Sequence, residues 1–335
     1  MKSKILYIFV LIACWGCKVE SELDYPNTPQ GNIEALWNMI DTKYCFIDEK
    51  CPTWSELLPE YLEKANKIAA DDEFALFDLC CELLDTLNDG HVNIFTSFEY
   101  YICRKWFEKY PKNYNWDIIK EKYLTDYKSI SSMQYDIIHD SIGYISYSSF
   151  SDNFSHANIY YILTYFADCK AIILDVRNNG GGALTNAEKL ASIFTDEDVH
   201  VGYIQHKTGK NHNDFSELSE MYIKKDVSKN KWKRPVIVLC NRHSYSATNY
   251  FINACRYLKN VRTIGGKSGG GGGIPMSYEM PNGWLVRFSS VRMLDVEKKS
   301  IEDGIMPDVP ADCVNEGKDD ILEKAIEIIE KKRYD

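Results

Sequence analysis

Apolar positions follow two different periods along the chain. In the first part they recur every three to four residues. NIEALWNMIDTKY places Ile33, Leu36, Trp37 and Ile40 at the spacing of one helix face. TWSELLPEYLEKANKIA opens on Thr53 with Glu56 three residues on, the pattern of a capping box. DEFALFDLCCELLDTL is a third amphipathic run, and NDGHVNIF reads as a turn leading into a short strand. These runs predict a small helical domain over 31–92, followed by a core over 93–335.

The period then shortens. SIGYISYSSF alternates as a half-buried strand does. KAIILDV and PVIVLC are unbroken β-branched and aliphatic runs, expected of strands covered on both faces. Between and after them HANIYYILTYFA, TNAEKLASIF and SATNYFINACRYL read as helices, so the alternation predicts an α/β core with parallel strands. NGWLVRFSSVRML alternates again and predicts an antiparallel hairpin joined to that sheet. DDILEKAIEIIEKK predicts a closing amphipathic helix. There is no internal repeat.

The N-terminus has a different character. MKSK precedes the apolar stretch ILYIFVLIA, which is too short to span a bilayer and reads as a secretory signal. LIAC resembles a bacterial lipobox, which makes Cys14 the expected lipidated residue and Cys17 the alternative. The signal then covers 1–17 and a linker 18–30. Such a chain is held at the cell envelope, on the periplasmic face or the outer surface of a Gram-negative bacterium, through a lipid anchor only. The net charge of −10 and the absence of a basic face argue against nucleic acid as a partner. Nine further cysteines show no CxxC pairing, so no zinc or other metal site is expected, and no cofactor is expected either; Cys45 and Cys51 are spaced to bridge a short loop.

Working groups of an open α/β sheet gather at the carboxyl ends of its parallel strands. KAIILDV runs into RNNGGG, and PVIVLC runs into NRHSYSAT. The first loop offers backbone N–H groups with no side chains in front of them, as an oxyanion hole requires. The second puts Ser244 and Ser246 at the mouth of a helix, where the dipole favours developing negative charge. Each feature alone is an ordinary turn or N-cap; their pairing at two strand ends points to a serine nucleophile. GGKS at 265–268 is not a phosphate loop, since Val261 stands where that motif needs glycine. Ser244 and Ser246 lack the flanking glycines of an esterase nucleophile elbow.

GYISYSSF, ILDVRNNGGGALTNA, VIVLCNRHSYSATNYF, GGGGGIP and IEDGIMPDV follow, in order, the landmarks of the C-terminal-processing (tail-specific) serine protease family. That family includes the tricorn core protease and the retinoid-binding protein modules. The resemblance runs over roughly 30–315. It implies a mixed α/β fold, with a ClpP/crotonase-like core and a partly parallel sheet behind a small N-terminal helical cap. It also implies Ser246 as nucleophile and an oxyanion hole of Gly182 and Ala247. Two departures stand out. Only about 45 residues separate NIFTSF from SIGYIS, about half of what a PDZ domain needs, so none is expected. The dyad lysine of the processing branch, 25 residues after the serine, is Gly271 here.

A serine hydroxyl needs a neighbouring base. The tricorn-like branch uses a histidine in a context that NDGHVNI matches, which implies His91 as the base. The same branch orients its histidine with a glutamate, matched by Glu302, with Asp303 as second choice. Lys267 and then His243 are the lesser candidates for the base. Two functions remain open on these residues. One is an envelope-tethered serine peptidase acting on extended peptides or protein C-terminal segments by a Ser-His-Glu type mechanism. The other is a catalytically silent member that binds a peptide or an apolar ligand.

Overall fold

The computed structural model describes residues 25–226, 228, 231–313 and 317–332. Cys14 and Cys17 lie outside the described residues. Four helices come first: α1 (Pro29–Lys43), α2 (Ile47–Lys50), α3 (Trp54–Ala65) and α4 (Glu73–Asp85). Pro29 stands in the first turn of α1, and the Thr28 hydroxyl accepts the Gly31 amide at 3.1 Å. Thr53 does precede α3, but its backbone is not extended and its side chain caps nothing, so the predicted capping box does not form. The Glu56 amide goes to the Thr53 carbonyl instead, at 2.9 Å.

The chain continues through β1 (Asn93–Phe95), β2 (Tyr100–Ile102), α5 (Lys105–Glu108), α6 (Trp116–Lys122), β3 (Lys128–Ile130), β4 (Met133–Ile138) and β5 (Ile142–Tyr147). Next come α7 (His156–Tyr165), β6 (Ala171–Asp175), α8 (Leu184–Ser192), β7 (Val199–His206), β8 (Ser219–Ile223), β9 (Val236–Cys240) and α9 (Ala247–Cys255). The last elements are β10 (Val261–Gly265), β11 (Gly273–Glu279), β12 (Leu285–Leu294), β13 (Val309–Pro310) and α10 (Asp320–Glu330).

These strands make two sheets. One has the order β13-β10-β9-β6-β5-β4-β3, parallel from β13 to β5 and antiparallel beyond. Its central strands are covered on both faces, as their unbroken apolar runs require. Ile172 and Leu174 of β6 pack with α7, α8 and α9, while Ala171 and Ile173 pack with α10. β5 departs from the half-buried strand its alternation predicts, because it lies inside the sheet and every residue from Ile142 to Tyr147 is buried. Its Gly143 lies against the Phe166 ring.

The β11–β12 hairpin does not join this sheet. It belongs to a second one, ordered β2-β1-β12-β7-β8, with β11 on the other side of β12. The inner face of β12, at Val286 and Phe288, shares one core with Leu36, Met39 and Ile40 of α1 and with Ile94 of β1. The N-terminal helices are therefore built onto this sheet, and their core continues past residue 92. Cys45 and Cys51 are buried free thiols with no bridge between them. No described helix is long and apolar enough to cross a membrane.

One buried charge cluster fixes the loop after β6. The Arg177 guanidinium bonds Asp175 at 2.6 and 3.0 Å and Asp319, the N-cap of α10, at 2.7 and 2.9 Å. Its side chain and that of Asp175 are fully buried. Removing one member of such a cluster leaves uncompensated buried charge. Arg177→Met should lower the unfolding free energy by about 3–5 kcal/mol. Urea denaturation followed by circular dichroism measures this, and a loss below 1 kcal/mol would contradict the anchoring role.

Candidate active site

Three neighbouring parallel strands, β6, β9 and β10, end on the same edge, and their loops interlock. The Ser244 hydroxyl donates to the Val176 carbonyl at 2.8 Å, and the Tyr245 amide donates to the Asn179 carbonyl at 3.1 Å. The Ser246 amide donates to the Gly270 carbonyl at 2.8 Å. The two serines thus have separate jobs. Ser244 is fully buried and ties loops together, whereas Ser246 faces a cleft of roughly 420 Å³.

Ser246 stands at φ 58°, ψ −121°, immediately before α9. A non-glycine residue in such a region costs of order 1–3 kcal/mol. The turn throws its hydroxyl out of the strand-to-helix path and leaves the first helical amide, that of Ala247, beside it. Gly181, at φ +98°, passes so close that an added Cβ would lie 2.9 Å from the Ala247 nitrogen. Next to it, Gly182 lines the cleft with Ser246. Among the described residues neither the Gly182 nor the Ala247 amide donates to a protein acceptor, whereas the Gly181 amide is taken by Asn179 Oδ1 at 3.0 Å. Both amides are thus uncommitted, as donors to an oxyanion have to be.

His91 reaches this hydroxyl from the opposite sheet, just before β1. Its Nε2 lies 2.9 Å from Ser246 Oγ, across 155 residues of sequence. Burial, aided by the Arg287 and Lys50 charges, lowers its pKa to about 4 against the pull of Asp89. The imidazole is therefore neutral near pH 7 and free to accept a proton. Asp89, itself buried, fixes the segment. It accepts the His91 amide at 2.8 Å and the hydroxyls of Tyr44 at 2.7 Å and Tyr245 at 3.0 Å.

Glu302 does not hold the ring directly. The group against His91 Nδ1 is the buried hydroxyl of Ser289 on β12, at 3.4 Å. The Glu302 carboxylate, 2% exposed, accepts the Gly272 amide at 2.8 Å and faces Lys50 Nζ at 3.2 Å. Asp303 pairs with the same ammonium at 2.9 Å from an exposed position. Burial works against the Lys50 charge, but Glu302, Asp89 and Asp303 outweigh it and raise the pKa. Lys267 is not among the described residues that line the cleft at Ser246. His243 lines the cleft wall against Phe107, with ring centroids 4.6 Å apart. Asp89, Tyr245, Ser289 and Lys50 carry no motif of their own. Only the adjacency of Asp89 to His91 and of Tyr245 to Ser246 could have marked them.

The sequence model of peptidase family S41 matches residues 141–311, which is half of the chain. The chain belongs to peptidase family S41. A CtpA-like serine protease homologue of Staphylococcus haemolyticus is 30% identical over 171 residues, covering 50% of this chain and 33% of that protein. The chain thus spans about a third of the length of the curated relatives it matches. A crystal structure from Parabacteroides merdae, of a protein classed as a candidate peptidase, is 40% identical. It covers 90% of this chain and 96% of its own, with a TM-score of 0.84. The photosystem II D1 C-terminal processing protease shares the fold at 16% identity and a TM-score of 0.51, over 85% of this chain and 93% of that one.

The glycine that stands where the resemblance implies a dyad lysine has a steric reason. Gly271 sits at φ +75°, and an added Cβ would lie 2.6 Å from the Tyr245 ring. That ring is fixed by Asp89 and stacks on Trp106, with centroids 4.2 Å apart. Gly271→Lys should therefore not restore a dyad. It should cost about 2–4 kcal/mol of stability in urea unfolding, from the positive φ and the overlap. An unchanged or raised stability would refute this account.

Proposed function

We propose that this protein is a serine peptidase that hydrolyses extended peptides or C-terminal segments of proteins. Ser246 is the nucleophile, His91 the base, and the Gly182 and Ala247 amides the oxyanion hole. The observation that carries this reading is the 2.9 Å contact between Ser246 Oγ and His91 Nε2. As Oγ attacks the substrate carbonyl carbon, its proton passes to Nε2, and the charge on the former carbonyl oxygen falls between the two amides. His91 then gives the proton to the leaving amine, and water repeats the sequence on the acyl-enzyme. Ser289 keeps the ring turned by accepting from Nδ1–H. Glu302 contributes through Gly272 and Lys50, by fixing the glycine loop behind the nucleophile.

The test is covalent labelling by a neutral alkyl fluorophosphonate. The parent should label, Ser246→Ala should not, and His91→Ala should label at least about 100-fold more slowly. Equal labelling of all three ends this proposal. No labelling of the parent leaves a ligand-holding member of the family.

The pH dependence has a definite sign. Only neutral His91 can accept the proton, so the labelling rate should stay flat from pH 8 to about 5.5. It should then fall with a midpoint near 4. The same depressed pKa makes the unfolded state the better proton binder between about 6.5 and 4. The stability contribution is thus complete above pH 6.5 and is lost as pH falls through 4. A labelling midpoint between 6 and 7 would contradict the buried neutral imidazole.

We also propose that the protein is tethered to the cell envelope by lipid on Cys14. Partition into the detergent phase of Triton X-114 should be lost in Cys14→Ala and kept in Cys17→Ala. The reverse result moves the anchor to Cys17.

A further inference from the structure

The cleft differs in charge from the rest of the molecule. The chain carries a net charge of −10, yet the cleft is lined by Arg104 and Arg287 and by no aspartate or glutamate among the described residues. The nearby acids are engaged elsewhere. Asp89 is held by two tyrosines and the His91 amide, and Glu302 by Lys50 and Gly272.

Arg287 is the partly buried arginine that lines this cleft, whereas Arg234 bonds the Ala167 carbonyl at 2.9 Å and lies over the Trp232 ring, outside that lining. Arg177 is matched by two aspartates, Arg242 by three backbone carbonyls, and Arg292 is gripped twice by Gln205. Arg287 has one long bond, from Nη1 to Asn93 Oδ1 at 3.4 Å, and no carboxylate partner among the described residues. A guanidinium offers five N–H donors in a planar fork that fits a carboxylate. This one is half-buried and leaves most of that fork open toward the cleft.

Its position along β12 sets the reach. Ser289, which touches His91, and Arg287 lie two residues apart on one face of the strand, about 7 Å along it. We infer that Arg287 is a specificity-determining residue. Its guanidinium takes a carboxylate of the bound peptide about two residues from the bond that is cut. Either a C-terminal carboxylate or an acidic side chain carries the same chemistry. The word "cut" rests on the peptidase reading above; the binding of the carboxylate does not.

Binding without turnover tests this. Dansylated octapeptides of one neutral sequence are titrated into the Ser246→Ala protein and followed by fluorescence anisotropy. One ends in an amide, one in a free carboxylate, and one is an amide with a single aspartate replacing an asparagine. At least one acid-bearing peptide should bind about tenfold tighter than the neutral amide. Which one does so identifies the source of the carboxylate. The preference should collapse to about onefold when Arg287→Gln is added, and survive in part with Arg287→Lys, which also serves if the glutamine variant fails to fold. Arg104→Gln, at an exposed position, should change it less.

Equal affinity for all three peptides overturns the inference. So does a preference that survives Arg287→Gln and disappears with Arg104→Gln. The two proposals fail separately. A parent that labels with fluorophosphonate but shows no carboxylate preference remains a peptidase without this anchor. One that does not label but binds acids more tightly keeps Arg287 as a ligand contact and loses the peptidase reading.

Discussion

A backbone turn that Ser246 does not favour is the constraint on which the site depends. At φ 58° an L-residue is strained, and only its surroundings keep it there. Those surroundings are three loops from three adjacent parallel strands. The Gly270 carbonyl holds the serine's own amide, Asn179 holds the amide before it, and the Gly269 amide donates to Ser244. Because β6, β9 and β10 are neighbours in register, their exits are close enough to bond one another. The parallel order thus does more than assemble a core. It holds the strained hydroxyl in place, and the Arg177 cluster below keeps the first of the loops from drifting.

The proposed proton acceptor comes from elsewhere. His91 belongs to the second sheet, whose inner face shares a core with the N-terminal helices. Three contacts join those helices to the base: Tyr44 to Asp89, the Cys45 amide to the Ser289 carbonyl at 2.9 Å, and Lys50 to Glu302. The first two end at residues that touch His91, whereas Glu302 reaches the Gly272 loop. The helical segment is therefore part of what positions His91, although none of its side chains is seen to bond Ser246 among the described residues.

Much of this was legible in the sequence because it follows from local rules. KAIILDV and PVIVLC read as strands covered on both sides, and a glycine loop and a serine-started helix then emerge at their carboxyl ends. His91 was legible only through resemblance, since nothing in NDGHVNI says which distant serine it will meet. The errors have physical causes. The β5 alternation reads as half-buried, but polar Ser146 and small Gly143 are accommodated inside the sheet. The β11–β12 hairpin carries the right pattern and joins the other sheet, because alternation specifies a face and not a neighbour. Ser289 was out of reach for the same reason, being one more small residue on an alternating strand until β12 is laid beside β1.

Gly271, at the position where the resemblance implies a lysine, fits that arrangement. A base on the glycine loop would come from the same layer as the nucleophile, held by the same strand exits. Here that volume is filled by the Tyr245 ring, which Asp89 clasps from the other layer. The tyrosine therefore does two things at once. It excludes a side chain from position 271, and it ties the serine's own turn to the segment that carries His91. A chain that draws its base from a second core must keep the two cores in register to within a hydrogen bond. A buried carboxylate shared by Tyr44, Tyr245 and the His91 amide serves that purpose, because it stays satisfied only while all three elements are docked. Loss of docking would take those donors from the carboxyl group, so the alignment of His91 with Ser246 is coupled to the stability of the interface between the two sheets.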